Sequence, residues 1–279
     1  MTLLPFYVDD IVKTALSEDI NYIDSTTDLL IEENDRSFAY FMAKADGVVC
    51  GMEVAARAFT ALDPFIEIKP MVSDGDTVPS GQRLATICGH TRAMLKAERT
   101  ALNFIQHMSG IATYTRKCVD AVAGTKATIA DTRKTLPGLR PLQKYAVTVG
   151  GGKNHRFNLT DAAMLKDNHI EAFGGITKAV NALRERAGHT LTVEVEARTL
   201  DDVKEALACG VNIIMLDNMS LGEMREACSL IDGKAKAEAS GNITLDNIRA
   251  VAETGVDIIS LGALTHSVTA FDISMKWGN

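Results

Sequence analysis

From about Gly124 to the end of this chain, short apolar runs alternate with helical patterns, and that alternation restricts the fold more than any other feature. The runs fall at 127–131, 162–166, 191–196, 212–217, 235–239 and 257–261. One amphipathic stretch lies between most of them. Leu200, Val203, Ala206 and Leu207 keep a helical period that stops at Gly210. Ser220 and Glu223 have the spacing of a capping box. Thr244 is placed to cap a helix over 245–253, with Gly255 just past its end. Repeated βα units imply a parallel sheet with right-handed crossovers. Six strands fall short of the eight of a closed (β/α)₈ barrel, so the pattern predicts a barrel with missing or irregular units.

The first hundred residues follow another rule. Segments 35–49 and 65–88 read as short strands separated by turns such as Ser73-Asp74-Gly75-Asp76 and Pro79-Ser80-Gly81. They predict an antiparallel α+β unit. A long helical pattern over 91–108 places Met94, Leu95, Leu102, Ile105 and Met108 on an apolar face, and Ser109-Gly110 ends it. No internal repeat, low-complexity tract or linker separates the two parts.

Composition narrows the function. A net charge of −7 and a pI near 5.4 exclude a general nucleic-acid binder, which needs a basic face. The five cysteines are scattered, without C-x-x-C spacing, which fits neither a disulfide framework nor a zinc site. Reduced thiols and the lack of a signal-peptide pattern lead us to expect a cytoplasmic enzyme. No run approaches the roughly 18–20 apolar residues of a membrane span.

Against that acidic background, residues 131–170 hold seven Lys/Arg (Arg133, Lys134, Arg140, Lys144, Lys153, Arg156, Lys166) and three Asp, beside Gly150-Gly151-Gly152. Clustered cations and backbone amides suit a small polyanion. In folds of this kind ligands sit at the carboxyl ends of the strands. The predicted strands end, in order, in Asp131-Thr132-Arg133-Lys134, Lys166-Asp167-Asn168-His169, Glu196, Asp217-Asn218, Ser240-Gly241 and Gly262-Ala263. Cations come early, acids in the middle and small residues late. The small residues suit a phosphate held by backbone amides. The acids suit a divalent metal or a developing positive charge, as at a sugar carbon. Each signal also has a plainer reading. Glu196 and Asp217 can cap or salt-bridge, the glycines can be a turn, His155 can be structural, and Arg99 beside Glu98 can belong to a solvated face.

Taken in order, ERTALNFIQHMSGIAT from Glu98, DTRKTLPGLR from Asp131, QKYAV from Gln143, GGGKNHR from Gly150, LKDNHI from Leu165, VEVEA from Val193, MLDN from Met215, EASGN from Glu238 and SLGALTHS from Ser260 resemble the quinolinate phosphoribosyltransferase family. The resemblance covers essentially the whole chain. Asn242 stands where the family more often has Gly, and Leu136 where Thr is frequent.

The resemblance implies an N-terminal α+β open-faced sandwich over 1–108, rejoined by 266–279, and an incomplete parallel α/β barrel over 109–265. It implies a decarboxylating pentosyltransferase of NAD biosynthesis. Quinolinate and phosphoribosyl pyrophosphate would give nicotinate mononucleotide, pyrophosphate and carbon dioxide, with Mg²⁺ and no organic cofactor. The implied substrate-binding cations are Arg99, Arg133, Lys134, His155, Arg156 and Lys166, with Arg140 in the same basic loop. Glu196 and Asp217 fall on the phosphoribosyl and metal side, and with Lys134 they are the implied catalytic residues. Ser240, Gly241, Gly262 and His266 fall on the phosphate loops. A homodimer or higher oligomer is implied, with Arg99 reaching the neighbouring site, and no nucleic-acid or membrane partner. Relatives of the same fold (molybdenum-utilisation proteins, nicotinate-specific transferases), a non-catalytic sensor of phosphorylated ligands and a barrel lyase are the competing readings.

Overall fold

The computed structural model describes residues 2–278. Two compact units result: Met1–Arg116 with Thr135–Gly151 and Ala263–Asn279, and Lys117–Lys134 with Gly152–Gly262. In chain order the elements are α1 (Pro5–Asp19), α2 (Thr27–Leu30), β1 (Arg36–Ala43), β2 (Gly47–Val48), α3 (Met52–Thr60), β3 (Glu67–Pro70), β4 (Thr77–Val78), β5 (Arg83–His90), α4 (Thr91–Ala121), β6 (Thr128–Ala130), α5 (Arg140–Val149), β7 (Ala163–Leu165), α6 (Asp167–Phe173), α7 (Ile176–Arg186), β8 (Val193–Ala197), α8 (Leu200–Ala208), β9 (Ile213–Asp217), α9 (Leu221–Ile231), β10 (Lys236–Ser240), α10 (Ile248–Ala252), β11 (Ile258–Ser260), α11 (Ala263–His266) and β12 (Ile273–Trp277). Among the described residues no helix is long and apolar enough to cross a membrane.

The first unit holds a four-stranded antiparallel sheet in the order β12-β1-β5-β3. Alternation along β1 buries Ala39, Phe41 and Ala43, and the Phe41 ring lies 6.0 Å from that of Phe59 on α3. The last strand, β12, pairs with β1, so the final residues complete the sheet the chain began with.

One expectation fails here. Ser109-Gly110 does not end α4, which continues to Ala121. The Ser109 hydroxyl donates to the Cys50 carbonyl (3.1 Å) and accepts from the Cys50 N–H (2.9 Å). Gly110 is needed for closeness, because a Cβ there would collide with the Thr269 carbonyl. Both residues are packing devices that a sequence pattern takes for a helix stop.

The second unit is a parallel sheet of six strands in the order β6-β11-β10-β9-β8-β7. Each predicted run overlaps one strand, and the α/β fold with a partial barrel and a separate antiparallel unit is as expected. Inner and outer faces alternate along each strand. Val193, Val195 and Ala197, Ile214 and Leu216, and Ala237 and Ala239 are buried on the outer face, which the sheet presents to its helices. The opposite face receives Glu194 and Glu196, Met215 and Asp217, and Glu238 and Ser240. The expected capping box at Ser220–Glu223 forms, and a second, not singled out from the sequence, opens α8 at Thr199–Asp202. Thr244 instead opens a turn: its carbonyl accepts the Asn247 and Ile248 N–H groups, and α10 begins only at Ile248.

Candidate active site

The carboxyl ends of the six strands surround a cavity of about 330 Å³, within the size range of small-molecule sites. Its cationic wall is Arg133 and Lys134 after β6, Arg156 from the loop after the Lys153 bridge, and Lys166 after β7. Its acidic wall is Glu196 at the end of β8 and Asp217 at the end of β9. His155, Ser240 and Ser260 complete the polar lining, with Thr132, Met164 and Met215 between them.

Local structure places these side chains. Lys153 bridges to Ala130 as an extra parallel pairing beside β6. Asp131, fully buried, accepts from Asn154 Nδ2 at 2.6 Å and from the His155 N–H at 2.9 Å, which pins the segment carrying His155 and Arg156. The Arg156 guanidinium donates to the Ala162 carbonyl at 3.2 Å. Burial, and then the neighbouring charge of Arg133, hold Arg156 below its ordinary pKa, while Glu194 and Asp161 pull the other way. Two guanidiniums this close form a site whose electrostatics improve when an anion enters.

The acids are tied to cations. Lys166 Nζ lies 3.5 Å from Glu196. Arg198 reaches Asp167 at 2.8 Å, Glu196 at 3.6 Å and Asp217 at 3.7 Å. Hydrogen bonding and the charge of Asp167 raise the Arg198 pKa. Sequence reasoning missed Arg198, although its position two residues after Glu196 on the same strand face was a usable signal.

Eight of the expected site residues therefore meet on one cavity: Arg133, Lys134, His155, Arg156, Lys166, Glu196, Asp217 and Ser240. Gly241 follows β10 at φ +97°, where a Cβ would run into the Asn218 side chain. Asn242 takes φ +51° and donates to Asn218 Oδ1 at 3.0 Å, so an asparagine fills a left-handed position that suits glycine. Gly262 closes the second unit after β11. Arg99 on α4, Arg140 at the start of α5 and His266 on α11 belong to the first unit. There Arg99 is exposed, Arg140 Nε donates to Thr135 Oγ1 at 3.0 Å, and His266 Nδ1 pairs with Ser267 Oγ at 2.6 Å.

Two of the three glycines in the run do not offer their amides to an anion as the sequence suggested. The Gly150 N–H donates to Ala146, Gly151 to Thr148 and Lys153 to Ile129. The run ends α5 and turns the chain into the Lys153 bridge. The QKYAV block is also architectural: Gln143 is buried, pairs with His107 Nε2 at 2.8 Å, donates to the Thr265 carbonyl at 3.0 Å and accepts from the Leu136 N–H at 2.9 Å.

Deeper in the barrel lies a second acidic set. Among the described residues, His155, Glu194 and Glu238 have donor atoms within 4.8 Å of one another, the spacing of a metal-holding group. His155 Nε2 is 3.2 Å from Glu194 and 3.5 Å from Glu238. Neither acid was singled out from the sequence, though V-E-V-E and E-A-S place each one inward position before a cavity residue.

Comparison with known proteins shows the family and the fold. Residues 24–109 match the quinolinate phosphoribosyl transferase N-terminal domain and residues 111–276 its C-terminal domain. The probable nicotinate-nucleotide pyrophosphorylase [carboxylating] of Synechocystis sp. is 44% identical, over 99% of this chain and 95% of that protein. Its Bacillus subtilis namesake is 44% identical over 92% and 89% of the two chains. The solved structure of NadC from Streptococcus pyogenes superposes with a TM-score of 0.96 at 43% identity and covers all of both chains.

Proposed function

The chain belongs to the quinolinate phosphoribosyltransferase family, and from that premise we propose that the cavity at the barrel mouth carries the family's reaction. The enzyme transfers the phosphoribosyl group of phosphoribosyl pyrophosphate to quinolinate with decarboxylation, for NAD biosynthesis. The observation that carries the assignment to this cavity is the meeting of four cations, two acids and Ser240 within about 330 Å³.

Quinolinate brings two carboxylates and the sugar donor brings a pyrophosphate and a 5′-phosphate. Arg133 and Arg156 can each grip a carboxylate through two parallel hydrogen bonds, while Lys134 and Lys166 act as point charges. Held there, the ring nitrogen and the anomeric carbon come within attack distance. Glu196 and Asp217 face the positive charge that develops on the ribose as pyrophosphate departs. Ser240 and Gly241 take the 5′-phosphate. Once glycosylated, the ring nitrogen is cationic, and its charge stabilises the electron pair left on the adjacent ring carbon when carbon dioxide leaves. That carbon then takes a proton.

Glu196 and Asp217 are hard oxygen donors open to the cavity, and this donor set fits Mg²⁺. When bound, Mg²⁺ supplies charge neutralisation of the leaving pyrophosphate. Arg99, exposed on α4, is assigned to the active site of a second copy in a homodimer. A reducing compartment such as the cytoplasm is the proposed location, supported by five cysteines with no disulfide among the described residues.

The test is release of carbon dioxide from carboxyl-labelled quinolinate, with and without phosphoribosyl pyrophosphate. Release that requires the donor and Mg²⁺, and that is lost in Arg133→Ala, supports the assignment. Full activity in Arg133→Ala would move the chemistry elsewhere.

A further inference from the structure

Glu194 and Glu238 are 1% exposed and point into the barrel from β8 and β10. Strand β9 runs between them, and their side chains meet because the sheet curls. Oε2 of Glu194 and both carboxylate oxygens of Glu238 lack a hydrogen-bond donor. Two buried acids in that state are costly as two anions.

The ring of His155 limits the solutions. The backbone N–H of Arg156 donates to His155 Nδ1 at 2.7 Å. A backbone N–H is always a donor, so Nδ1 bears no proton. The ring is therefore neutral, with its hydrogen on Nε2, directed at Glu194 Oε1 at 3.4 Å. A ring in that tautomer offers no lone pair to the two acids, which removes the metal-holding arrangement that spacing alone would allow. The Ser260 hydroxyl, itself unpartnered, can serve one oxygen of Glu238, and a proton on one acid satisfies a further orphaned oxygen.

We infer that Glu238 is a carboxylic acid that donates its proton to the Glu194 carboxylate, and that this pair fixes the His155 ring and, through Nδ1, the position of Arg156 against the pyridine dicarboxylate. Glu238 is thus a positioning residue for quinolinate, and the inference rests on the assignment of the cavity above. It acts through its neighbours. Glu194 accepts the proton and the His155 Nε2–H, His155 Nδ1 accepts the Arg156 N–H, and the Arg156 side chain lines the cavity.

Burial first, and then the Glu194 charge, push the Glu238 pKa up to about 7, while His155 and the Ser260 hydroxyl pull it down. The groups facing the acid are Glu194 from β8, His155 from the loop after the Lys153 bridge and Ser260 from β11, and the cavity beyond holds Arg133, Arg156, Lys166, Glu196 and Asp217. Above about pH 7 Glu238 loses its proton, two carboxylates repel, and the His155–Arg156 wall loosens.

The experiment measures quinolinate KM and kcat from pH 5.5 to 8.5 at saturating phosphoribosyl pyrophosphate, in the wild type and in Glu238→Gln, whose amide still donates to Glu194. The expected wild-type KM rises about tenfold through neutrality with kcat changing less, and Glu238→Gln removes most of that rise. A KM profile of Glu238→Gln that superposes on the wild type overturns the inference. Ring ¹⁵N NMR of the wild type reads the tautomer without substrate: an Nε2–H ring at pH 6.5 supports it, and an Nδ1–H ring or an imidazolium overturns it. Should Glu238→Gln not fold, ¹³C carboxyl titration of the wild type decides, because no carboxyl titrating above pH 6 overturns the inference. A wild type with the predicted tautomer and titration but no quinolinate turnover would sink the functional assignment and leave the proton placement standing.

Discussion

At the barrel mouth, Glu196 and Asp217 are 10% and 20% exposed in their side chains and lie within 4 Å of Lys166 or Arg198. One inward position deeper, Glu194 and Glu238 are 1% exposed, and the His155 ring lies 3.2 Å and 3.5 Å from them. The strands are shared: Glu194 and Glu196 stand on β8 two residues apart. About 7 Å of rise separates two electrostatic regimes. At the mouth, Lys166 and Arg198 stand beside both acids. In the interior, among the described residues, Glu194 Oε2 and both Glu238 carboxylate oxygens have no hydrogen-bond partner, so a proton supplies a missing donor. In the proposed mechanism the same residue type on the same strand thus serves transition-state chemistry in one layer and geometry in the next.

The largest effect separating the layers is expected from Arg133→Ala. Loss of its grip on a substrate carboxylate should cost about 4 kcal/mol, roughly a thousandfold in kcat/KM for quinolinate, with an unchanged melting temperature. Steady-state kinetics alongside thermal melts check this, and a variant that loses the fold as well would show that the cation is structural.

Glu196→Ala should come next, lowering kcat about a hundredfold, near 3 kcal/mol, with a smaller change in the Kd for quinolinate. A binding defect without a kcat effect would place Glu196 with the positioning groups and blur the contrast between layers.

For the deeper layer the observable is stability. The folded pKa of Glu238 is raised from 4.5 to about 7. Its contribution is therefore whole below about pH 4.5, declines across that window, and is fully lost once pH has risen through 7. The total change is at most roughly 3 kcal/mol. Glu238→Gln should recover about 2 kcal/mol of it at pH 8, seen as a flatter dependence of urea midpoints on pH. Parallel curves for the two proteins would return both acid pairs to one regime.

The smallest effect belongs to Arg198→Ala. Its side chain is 53% exposed, so solvent screens its ion pairs and their removal should leave stability nearly unchanged. Its removal should instead tighten Mg²⁺ binding at Glu196 and Asp217 by a few fold, readable by calorimetry on the substrate-free protein.

Much of this architecture was legible in the chain. Strand alternation and capping boxes are local, and short-range sterics and hydrogen bonds enforce them before any tertiary contact forms; hence the six runs and the helices at Thr199 and Ser220 appeared where the residues put them. Strand-end residues could be named for the same reason, since a parallel βα unit sends each strand's carboxyl end to one face. Ser109-Gly110 and the triple glycine misled because glycine records a permission and not its use: close approach to Thr269 in one case, the exit from α5 in the other.

The sequence by itself determined the elements, their order and which side chains each strand end delivers, because those follow from periodicity and chain connectivity. Only the tertiary structure decided which charges keep company. That Arg198 would lean on three carboxylates, that Asp131 would hold the His155 segment, and that Glu194 and Glu238 would meet across an intervening strand all depend on how the sheet curls. Charge interactions depend on distance and on the surrounding medium, and the linear chain specifies neither.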